Sequence, residues 1–148
     1  MKIGIYGYGN LGRGVEYCAK QNSDTQIVGI FTRRDPQSVK SALGTAVYKA
    51  EDAPEFKDET DVMIICGGSA TDLPKLTPML AENFSVVDSF DTHPKIPEHY
   101  KAVSQVAKRA GTLALISAGW DPGMFSLNRL YSECILPFGE TYTFGAKA

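Results

Sequence analysis

The feature that most constrains the fold is a glycine-rich turn between the first predicted strand and the first predicted helix. Residues 2–7 are short and rich in Ile, as a buried strand is, and apolar residues over 10–20 recur at helical spacing. The turn between them reads Gly-Tyr-Gly-Asn-Leu-Gly and matches the dinucleotide fingerprint Gly-x-Gly-x-x-Gly. This arrangement predicts that the chain begins with a dinucleotide-binding βαβ unit.

Each glycine of this turn has its own physical role. Gly7 permits the tight turn, Gly9 lets the backbone approach a pyrophosphate, and Gly12 lets the helix pack closely on the strand. The N–H groups at the helix N-terminus carry a partial positive charge that favours phosphates. The alternative is a glycine-rich turn without a ligand, and the strand–turn–helix setting makes it the less favoured interpretation.

The rest of the chain continues to alternate between strands and helices. Strands are predicted at 26–32, 62–66, 84–88 and 112–117, and helices after residue 72, over 98–109 with Gly111 as C-cap, and from 123 to about 135. The less regular stretch 37–60 has a short predicted helix near 39–43 and a short strand at 46–48. This alternation predicts an α/β fold, a Rossmann-type doubly wound parallel sheet with helices on both faces. Residues 141–144 alternate like the start of a further strand, so we expect a longer protein.

Basic residues after the second predicted strand indicate which dinucleotide is bound. An NAD site usually has an Asp or Glu about 20 residues after the fingerprint, whereas this sequence has Thr32, Arg33 and Arg34 at that point. Two guanidinium groups and a hydroxyl suit a 2′-phosphate, which a carboxylate would repel. Asp35 precedes a proline and is interpreted as a turn residue. We therefore expect NADP, the alternative being an ordinary solvated basic turn.

Polar loops follow three later strands, at the sheet edge where such folds bind ligands. The first loop comes after Cys66, which is interpreted as an inert core thiol, and helix capping is an alternative role for its polar residues. The second loop, 88–93, brings two carboxylates and an imidazole to a strand end, a plausible site for a cation. In the third loop, 119–124, Asp121 before Pro122 is also typical of a helix N-cap.

Composition and patterning exclude several classes of protein. The net charge of -2 argues against a broad face for nucleic acid or anionic membrane, and no apolar run approaches the ~20 residues of a membrane span. Three widely spaced cysteines predict neither a disulfide framework nor a zinc site, and they fit a reducing cytosol. We therefore expect no metal, no nucleic acid, no membrane partner and a cytoplasmic location.

The motifs, taken in order, resemble those of meso-diaminopimelate dehydrogenase. The resemblance is carried by Gly-Tyr-Gly-Asn-Leu-Gly, Thr-Arg-Arg, Gly-Ser-Ala-Thr-Asp, Asp-Thr-His and, most specifically, Trp-Asp-Pro-Gly-Met-Phe-Ser, and it covers nearly all of residues 1–144. It implies NADP-dependent oxidative deamination of the D-centre of meso-2,6-diaminopimelate, giving L-2-amino-6-oxopimelate, ammonia and NADPH in lysine biosynthesis. Hydride transfer to the nicotinamide and hydrolysis of the resulting imine would be the chemical steps.

The resemblance also implies roles for individual residues. Asp91 and Asp121 would bind the ammonium of the reacting D-centre, with Trp120 and Met124 beside them. No general base is assigned, and His93 is a candidate. The residues that would hold the cofactor are Gly7, Tyr8, Gly9, Asn10, Leu11, Gly12, Thr32, Arg33, Arg34, Ser69, Ala70, Thr71, Asp72, Thr92 and His93.

Members of this family are about twice as long as the chain, as a two-domain dehydrogenase requires, and they form homodimers. We expect residues 1–122 to be the NADP-binding domain and 123–148 to be the linking helix and first strand of a truncated substrate and dimerisation domain. One alternative is an isolated NADP-binding module without turnover. Another is a dihydrodipicolinate-reductase-like or semialdehyde-dehydrogenase-like oxidoreductase. The semialdehyde type needs a catalytic Cys, for which Cys134 on an apolar helix face is a poor candidate.

Overall fold

The structure, a computed structural model, describes residues 1–138 and contains one parallel sheet of six strands. The strand order is β3-β2-β1-β4-β5-β6, which is the order of the doubly wound dinucleotide-binding fold. The predicted Rossmann-type fold is therefore confirmed, whereas the predicted strand at 141–144 lies outside the described residues. The strands are β1 (Lys2–Tyr6), β2 (Gln26–Thr32), β3 (Val47–Lys49), β4 (Val62–Ile65), β5 (Ser85–Asp88) and β6 (Ala114–Leu115).

Four α-helices accompany these strands, and three of them connect strands of the sheet. The helix α3 ends at Gly111, whose φ of 72° is the left-handed conformation predicted for its C-cap. No helix within residues 1–138 is both long enough and apolar enough to cross a membrane. The helices are α1 (Asn10–Gln21), α2 (Leu73–Ala81), α3 (Ile96–Ala110) and α4 (Met124–Ile135).

The stretch between β2 and β4 departs most from the sequence-based expectation. The helix predicted near 39–43 is wrong: a 3₁₀ turn forms earlier, at Pro36–Ser38, where the Asp35 side chain accepts from the N–H of Gln37 at 3.1 Å. A second 3₁₀ helix at Ala50–Glu59 was not predicted. It contains Pro54, which lacks the N–H that an α-helix interior needs, and it lies against the sheet through Phe56.

The last strand is also shorter than predicted, two residues instead of the stretch 112–117. Its pairing with β5 ends at Leu115, opposite Val87. Beyond that point the backbone N–H groups bond to Asp88 instead of continuing the ladder. The Asp88 carboxylate accepts from the N–H of Ser117 at 2.8 Å, and the Asp88 backbone carbonyl accepts from the N–H of Ala118 at 2.9 Å. Because these amides bond to one residue of β5, the regular ladder stops there.

Two apolar clusters cover the two faces of the sheet. One cluster combines sheet residues such as Phe31 and Met63 with Leu73 and Leu80 of α2 and with Phe56. The other lies on the opposite face and contains Ile5, Tyr8, Ile30, Val39 and Cys66 with Val15 of α1 packed against it. With both faces covered, the edge at the carboxyl ends of the strands remains as the place for a ligand.

The chain divides into two compact units, and the second begins at Gly119. In that unit α4 begins at Met124 with Gly123 as its N-cap, so the capping role considered for Asp121 is wrong. Asp121 instead accepts a hydrogen bond from Arg129 at 3.1 Å. The assignment of 1–122 and 123–148 to a cofactor domain and a second domain stays a prediction.

Candidate functional site

A cleft of about 300 Å³ lies at the carboxyl ends of β1, β2 and β4. Parallel pairing brings three loops to this edge although they are far apart in the sequence. The cleft therefore unites the glycine loop, the basic turn and the loop after β4. It is lined by seven of the residues predicted to hold a cofactor: Gly7, Tyr8, Gly9, Thr32, Arg33, Arg34 and Asp72.

Other predicted cofactor residues do not line this cleft. Ala70 and Thr92 line a separate cavity of about 280 Å³ with Phe90 and His99. Ser69 accepts a hydrogen bond from the N–H of Asp91 at 2.8 Å, which ties the loop after β4 to the loop after β5. The remaining predicted residues outside the cleft lining are Asn10, Leu11 and Gly12 on α1, Thr71 before α2, and His93 at the start of a 3₁₀ turn.

The glycine loop is compact on one side and open on the other. Gly7 has a φ of 95°, which L side chains rarely adopt, and its N–H donates to the carbonyl of Phe31 at 2.8 Å. A Cβ at Gly12 would lie 2.3 Å from the Gly7 carbonyl oxygen, so only glycine fits there. A Cβ at Gly9 would have nothing within 4 Å. The space beside Gly9 is therefore available to a close-lying ligand.

The N-terminus of α1 suits an anion. Its N-cap is Gly9, so no side chain caps the first helical N–H groups, and the first turn holds no acidic residue. Uncapped N–H groups and the helix dipole favour negative charge at this position. The cleft therefore offers both the space and the electrostatics for a phosphate group.

Arg33 forms a two-point ion pair with Asp72 across the cleft. The two guanidinium nitrogens lie 3.0 Å from the two carboxylate oxygens, and Asp72 also accepts from the N–H of Gly68 at 2.9 Å. The hydrogen bonds from Arg33 and Gly68 hold the pKa of Asp72 below its ordinary value. Although Asp72 occupies the N-cap position of α2, its side chain makes no capping hydrogen bond. The carboxylate joins the basic turn to the loop after β4 instead.

Arg34 turns towards the glycine loop. Its guanidinium donates to the backbone carbonyl of Tyr8 at 2.6 Å, and the backbone N–H of Arg34 donates to the Thr32 hydroxyl at 3.2 Å. An arginine presents five N–H donors, so each guanidinium in the turn retains donors beyond these contacts. The turn thus brings two guanidinium groups to the cleft, one paired with Asp72 and one bonded to the carbonyl of Tyr8.

The side chain of Tyr8 lies beneath the glycine loop, only 3% of the residue being exposed. Its hydroxyl donates to the carboxylate of Glu16, a fully buried residue of α1. That carboxylate also accepts from the hydroxyl of Ser41 at 2.5 Å and from the N–H of Ala42 at 3.2 Å. Sequence reasoning missed Glu16, although its spacing from Gly12 and Ala19 places a carboxylate on the buried stripe of α1.

Acid is expected to destabilise the fold through Glu16. Burial by itself would raise the pKa of this carboxyl, but hydrogen bonds led by that of Ser41 outweigh burial and lower the pKa from 4.5 to about 2. A lowered carboxyl pKa stabilises the fold above the unfolded-state value, and this contribution is lost as the pH falls from 4.5 towards 2. Urea unfolding at about pH 6 and about pH 3 should show a larger loss of free energy of unfolding for the wild type than for Glu16→Gln. Equal losses in the two proteins would contradict this.

The end of β5 and the loop after it hold one inward and one outward carboxylate. Asp91 is exposed, whereas Asp88 is buried and accepts from the hydroxyl of Thr77 and from Nε2 of His99, each at 2.7 Å. The interpretation of both carboxylates as a cation site is therefore wrong for Asp88, whose charge is used inside the fold. His99, which sequence reasoning did not single out, stacks on Phe90 at 4.3 Å between ring centroids.

The predicted substrate residues of the second unit are exposed within that unit. Trp120 is 69% exposed, and its ring lies 5.4 Å from that of Phe125. Met124, the first residue of α4, and Asp121 are also exposed. Among residues 1–138, no group of three or more His, Cys, Asp or Glu side chains is arranged to hold a metal ion.

Cys66 lies at the edge of the cleft but is buried, and burial raises the pKa of its thiol to about 12. The thiol is therefore protonated at neutral pH and a poor nucleophile. The prediction that Cys66 is a core residue is confirmed by its burial.

Comparison with known proteins relates the chain to one enzyme family. A family model described as the diaminopimelic acid dehydrogenase C-terminal domain matches residues 119–148. The meso-diaminopimelate D-dehydrogenase of Lysinibacillus sphaericus is 56% identical over 144 residues, which are 97% of this chain and 44% of that protein. The chain thus spans less than half the length of the curated relatives it matches.

Solved structures agree with this relationship. A meso-DAP dehydrogenase variant of Clostridium tetani, solved with DAP, has a TM-score of 0.88 and 52% identity, covering 97% of this chain and 44% of that one. An engineered D-amino acid dehydrogenase bound to NADP⁺ has a TM-score of 0.85 and 41% identity, covering 91% of this chain and 41% of the other.

Proposed function

Because the chain is related over nearly its whole length to the N-terminal part of the meso-diaminopimelate dehydrogenases, we propose that it is the NADP-binding part of such an enzyme. The reaction of the whole protein would be oxidative deamination of the D-centre of meso-2,6-diaminopimelate to L-2-amino-6-oxopimelate and ammonia, with formation of NADPH, in lysine biosynthesis. The observation that carries the proposal is the union of the glycine loop and two arginines in one cleft.

The residues of the cleft fit the chemical parts of NADP. The open space beside Gly9 and the uncapped N-terminus of α1 suit the pyrophosphate, and Arg33 and Arg34 suit the 2′-phosphate. When bound, the nicotinamide would supply the hydride acceptor. The residues of the chain would therefore bind the cofactor and orient it towards the substrate. The buried Cys66 thiol, whose pKa is raised, is not needed for this chemistry.

The cofactor proposal is tested by titrating the 148-residue chain with NADPH and with NADH, using the fluorescence of the reduced nicotinamide. We expect NADPH to bind at least about tenfold more tightly, because two charge-assisted contacts recognise only the phosphorylated ribose. Failure to bind NADPH, or equal affinity for the two, would refute the proposal.

A second candidate function is an NADP-binding module without turnover. The observation that favours it is the coverage, since the chain spans 44% of the length of a curated relative. NADPH formation from NADP and meso-diaminopimelate distinguishes the two functions when it is measured in a full-length protein that contains this chain. Turnover there supports the enzyme, whereas NADPH binding without turnover supports the module.

For the substrate, we propose that Asp91 and Asp121 each contribute a carboxylate to the ammonium of the reacting D-centre. Both side chains are exposed, and the backbone of Asp91 is held by the hydroxyl of Ser69 at 2.8 Å. The exposed Trp120 and Met124 would supply apolar surface beside them. For the whole protein we also propose a homodimer located in the cytoplasm, which sedimentation and cell fractionation would test.

Asp91→Asn and Asp121→Asn are each expected to lower turnover at least about tenfold, because an amide cannot pair with an ammonium as a carboxylate does. NADPH affinity should stay within about twofold, since neither side chain lines the cleft. Turnover is measured in a full-length protein that carries these residues. Asp24→Asn, before the start of β2 and so at the opposite edge of the sheet, is the matched control. Unaltered turnover in both variants would rule out these assignments.

A further inference from the structure

The buried carboxylate of Glu16 is a charged group that the cofactor assignments leave unexplained. It is fully buried on α1, one turn after the glycine loop. A buried charge costs free energy unless it is fully hydrogen-bonded. The structure supplies such bonds from the hydroxyls of Tyr8 and Ser41 and from the N–H of Ala42.

The surroundings of Glu16 require an acceptor rather than any polar group. Both hydroxyls and the backbone N–H point their hydrogens at the carboxylate, and the N–H of Ala42 also donates to the Tyr8 oxygen at 2.8 Å. An ionised carboxylate accepts at both oxygens, whereas a glutamine would place an NH₂ among donors. An ionised carboxylate therefore satisfies these three donors, which a neutral residue of the same size does not do.

Tyr8 connects this network to the cleft. Its side chain is bound from below by Glu16, and its backbone belongs to the glycine loop. Its carbonyl oxygen, on the cleft side, accepts the guanidinium of Arg34 at 2.6 Å. One residue thus links the buried carboxylate with both the pyrophosphate end and the 2′-phosphate end of the proposed cofactor site.

We propose that Glu16 is a positioning residue for cofactor binding: by holding the Tyr8 hydroxyl, it fixes the backbone of the glycine loop and, through the Tyr8 carbonyl, the guanidinium of Arg34. This inference rests on the proposed NADP function and deepens it. Glu16 itself does not line the cleft, so its effect on the ligand passes through Tyr8.

A purely structural role of Glu16 and a positioning role predict different outcomes, and a substitution of Ser41 distinguishes the two. Its hydroxyl binds the same carboxylate at 2.5 Å, but from the loop before β3 rather than from the glycine loop. Ser41→Ala and Tyr8→Phe each remove one hydroxyl donor to Glu16. Tyr8→Phe keeps the ring, over which the guanidinium of Arg13 lies at 5.9 Å from the centroid.

The experiment compares these two variants of the 148-residue chain by two measurements. Tyr8→Phe should weaken binding of NADPH and of 2′,5′-ADP about tenfold, because it removes the bond between Glu16 and a residue of the glycine loop. Ser41→Ala should leave both affinities within about twofold of the wild type, because Ser41 lies in a different loop that does not line the cleft. Hydrogen exchange without ligand should show faster exchange of the amides of Gly7 and Arg13, which bond to the carbonyls of Phe31 and Gly9, in Tyr8→Phe but not in Ser41→Ala. Glu16→Gln should behave as Tyr8→Phe does, and if it fails to fold the other two variants still decide.

Equal effects of Tyr8→Phe and Ser41→Ala on both measurements would overturn the inference and leave Glu16 a purely structural residue. The same conclusion follows if Tyr8→Phe binds both ligands as the wild type does. If the wild type does not bind NADPH, the proposed function fails. Unaltered loop exchange in Tyr8→Phe would then refute the positioning role separately, since that measurement needs no cofactor.

Discussion

Charge reversal of Arg33 and Arg34 is expected to weaken NADPH binding at least about a hundredfold while changing NADH binding by less than about threefold. Both guanidinium groups lie at the end of β2 and line the cleft. The 2′-phosphate carries roughly two negative charges, so two carboxylates in place of the arginines would repel it. NADH lacks this phosphate and keeps its contacts with the glycine loop.

The measurement is a fluorescence titration of the double variant with each cofactor at a fixed ionic strength, because charged contacts depend on salt. Lys101→Glu with Lys108→Glu is the matched control, since it changes the net charge equally on the exposed side of α3. Equal losses for NADPH and NADH, or the same loss in the control, would show that Arg33 and Arg34 do not recognise the 2′-phosphate.

Alanine substitutions in the glycine loop are expected to separate folding from binding. Gly12→Ala should lower the free energy of unfolding by about 2 kcal/mol or more, because its Cβ would lie 2.3 Å from the Gly7 carbonyl oxygen. A backbone atom cannot move aside as the end of a flexible side chain can. Gly9→Ala should keep its stability within about 0.5 kcal/mol, since its φ of -94° is ordinary and its Cβ meets nothing within 4 Å.

Gly9→Ala should nevertheless bind NADPH and NADH at least about thirtyfold more weakly, since the methyl group would fill the space through which a pyrophosphate approaches the backbone. Loss of both cofactors distinguishes it from the arginine reversal, which weakens NADPH binding far more than NADH binding. Gly14→Ala, inside α1 and likewise with open space at its Cβ, is the control and should bind both cofactors normally with slightly higher stability. Normal binding by Gly9→Ala, or wild-type stability of Gly12→Ala, would contradict the roles given to these glycines.

The elements that sequence predicted best have a strong local pattern. The apolar run of β2 ends where its polar neighbours begin, and its predicted and observed bounds agree. The stretch 37–60 lacks such a pattern, and its 3₁₀ helix owes its place to contacts of Phe56 with Phe31 at 5.2 Å and Tyr48 at 4.6 Å between ring centroids. The contact with Phe31 joins residues 25 apart in the sequence, which no local window contains, so periodicity could not predict it.

In the candidate site, too, sequence reasoning identified the residues of short motifs and missed the roles that depend on distant partners. Local motifs indicated the residues of the glycine loop and the basic turn, because a phosphate site needs particular residue types at short spacing. The inward role of Asp88 could not be predicted, since its partners His99 and Ser117 lie 11 and 29 residues away. An isolated carboxylate at a strand end is the same pattern whether it faces solvent or the core.

The sequence by itself determined the fold class, the order of the main strands and helices and the residue types at the carboxyl edge of the sheet, because these depend on periodicity and on motifs a few residues long. Only the tertiary structure decided which charged side chains line the cleft and which are buried and hydrogen-bonded inside the fold. It paired Arg33 with Asp72 across 39 residues and placed Ser41, 25 residues away, on Glu16. The physical reason is that the partners of a polar side chain are set by the packing of distant elements, which the local sequence pattern does not contain.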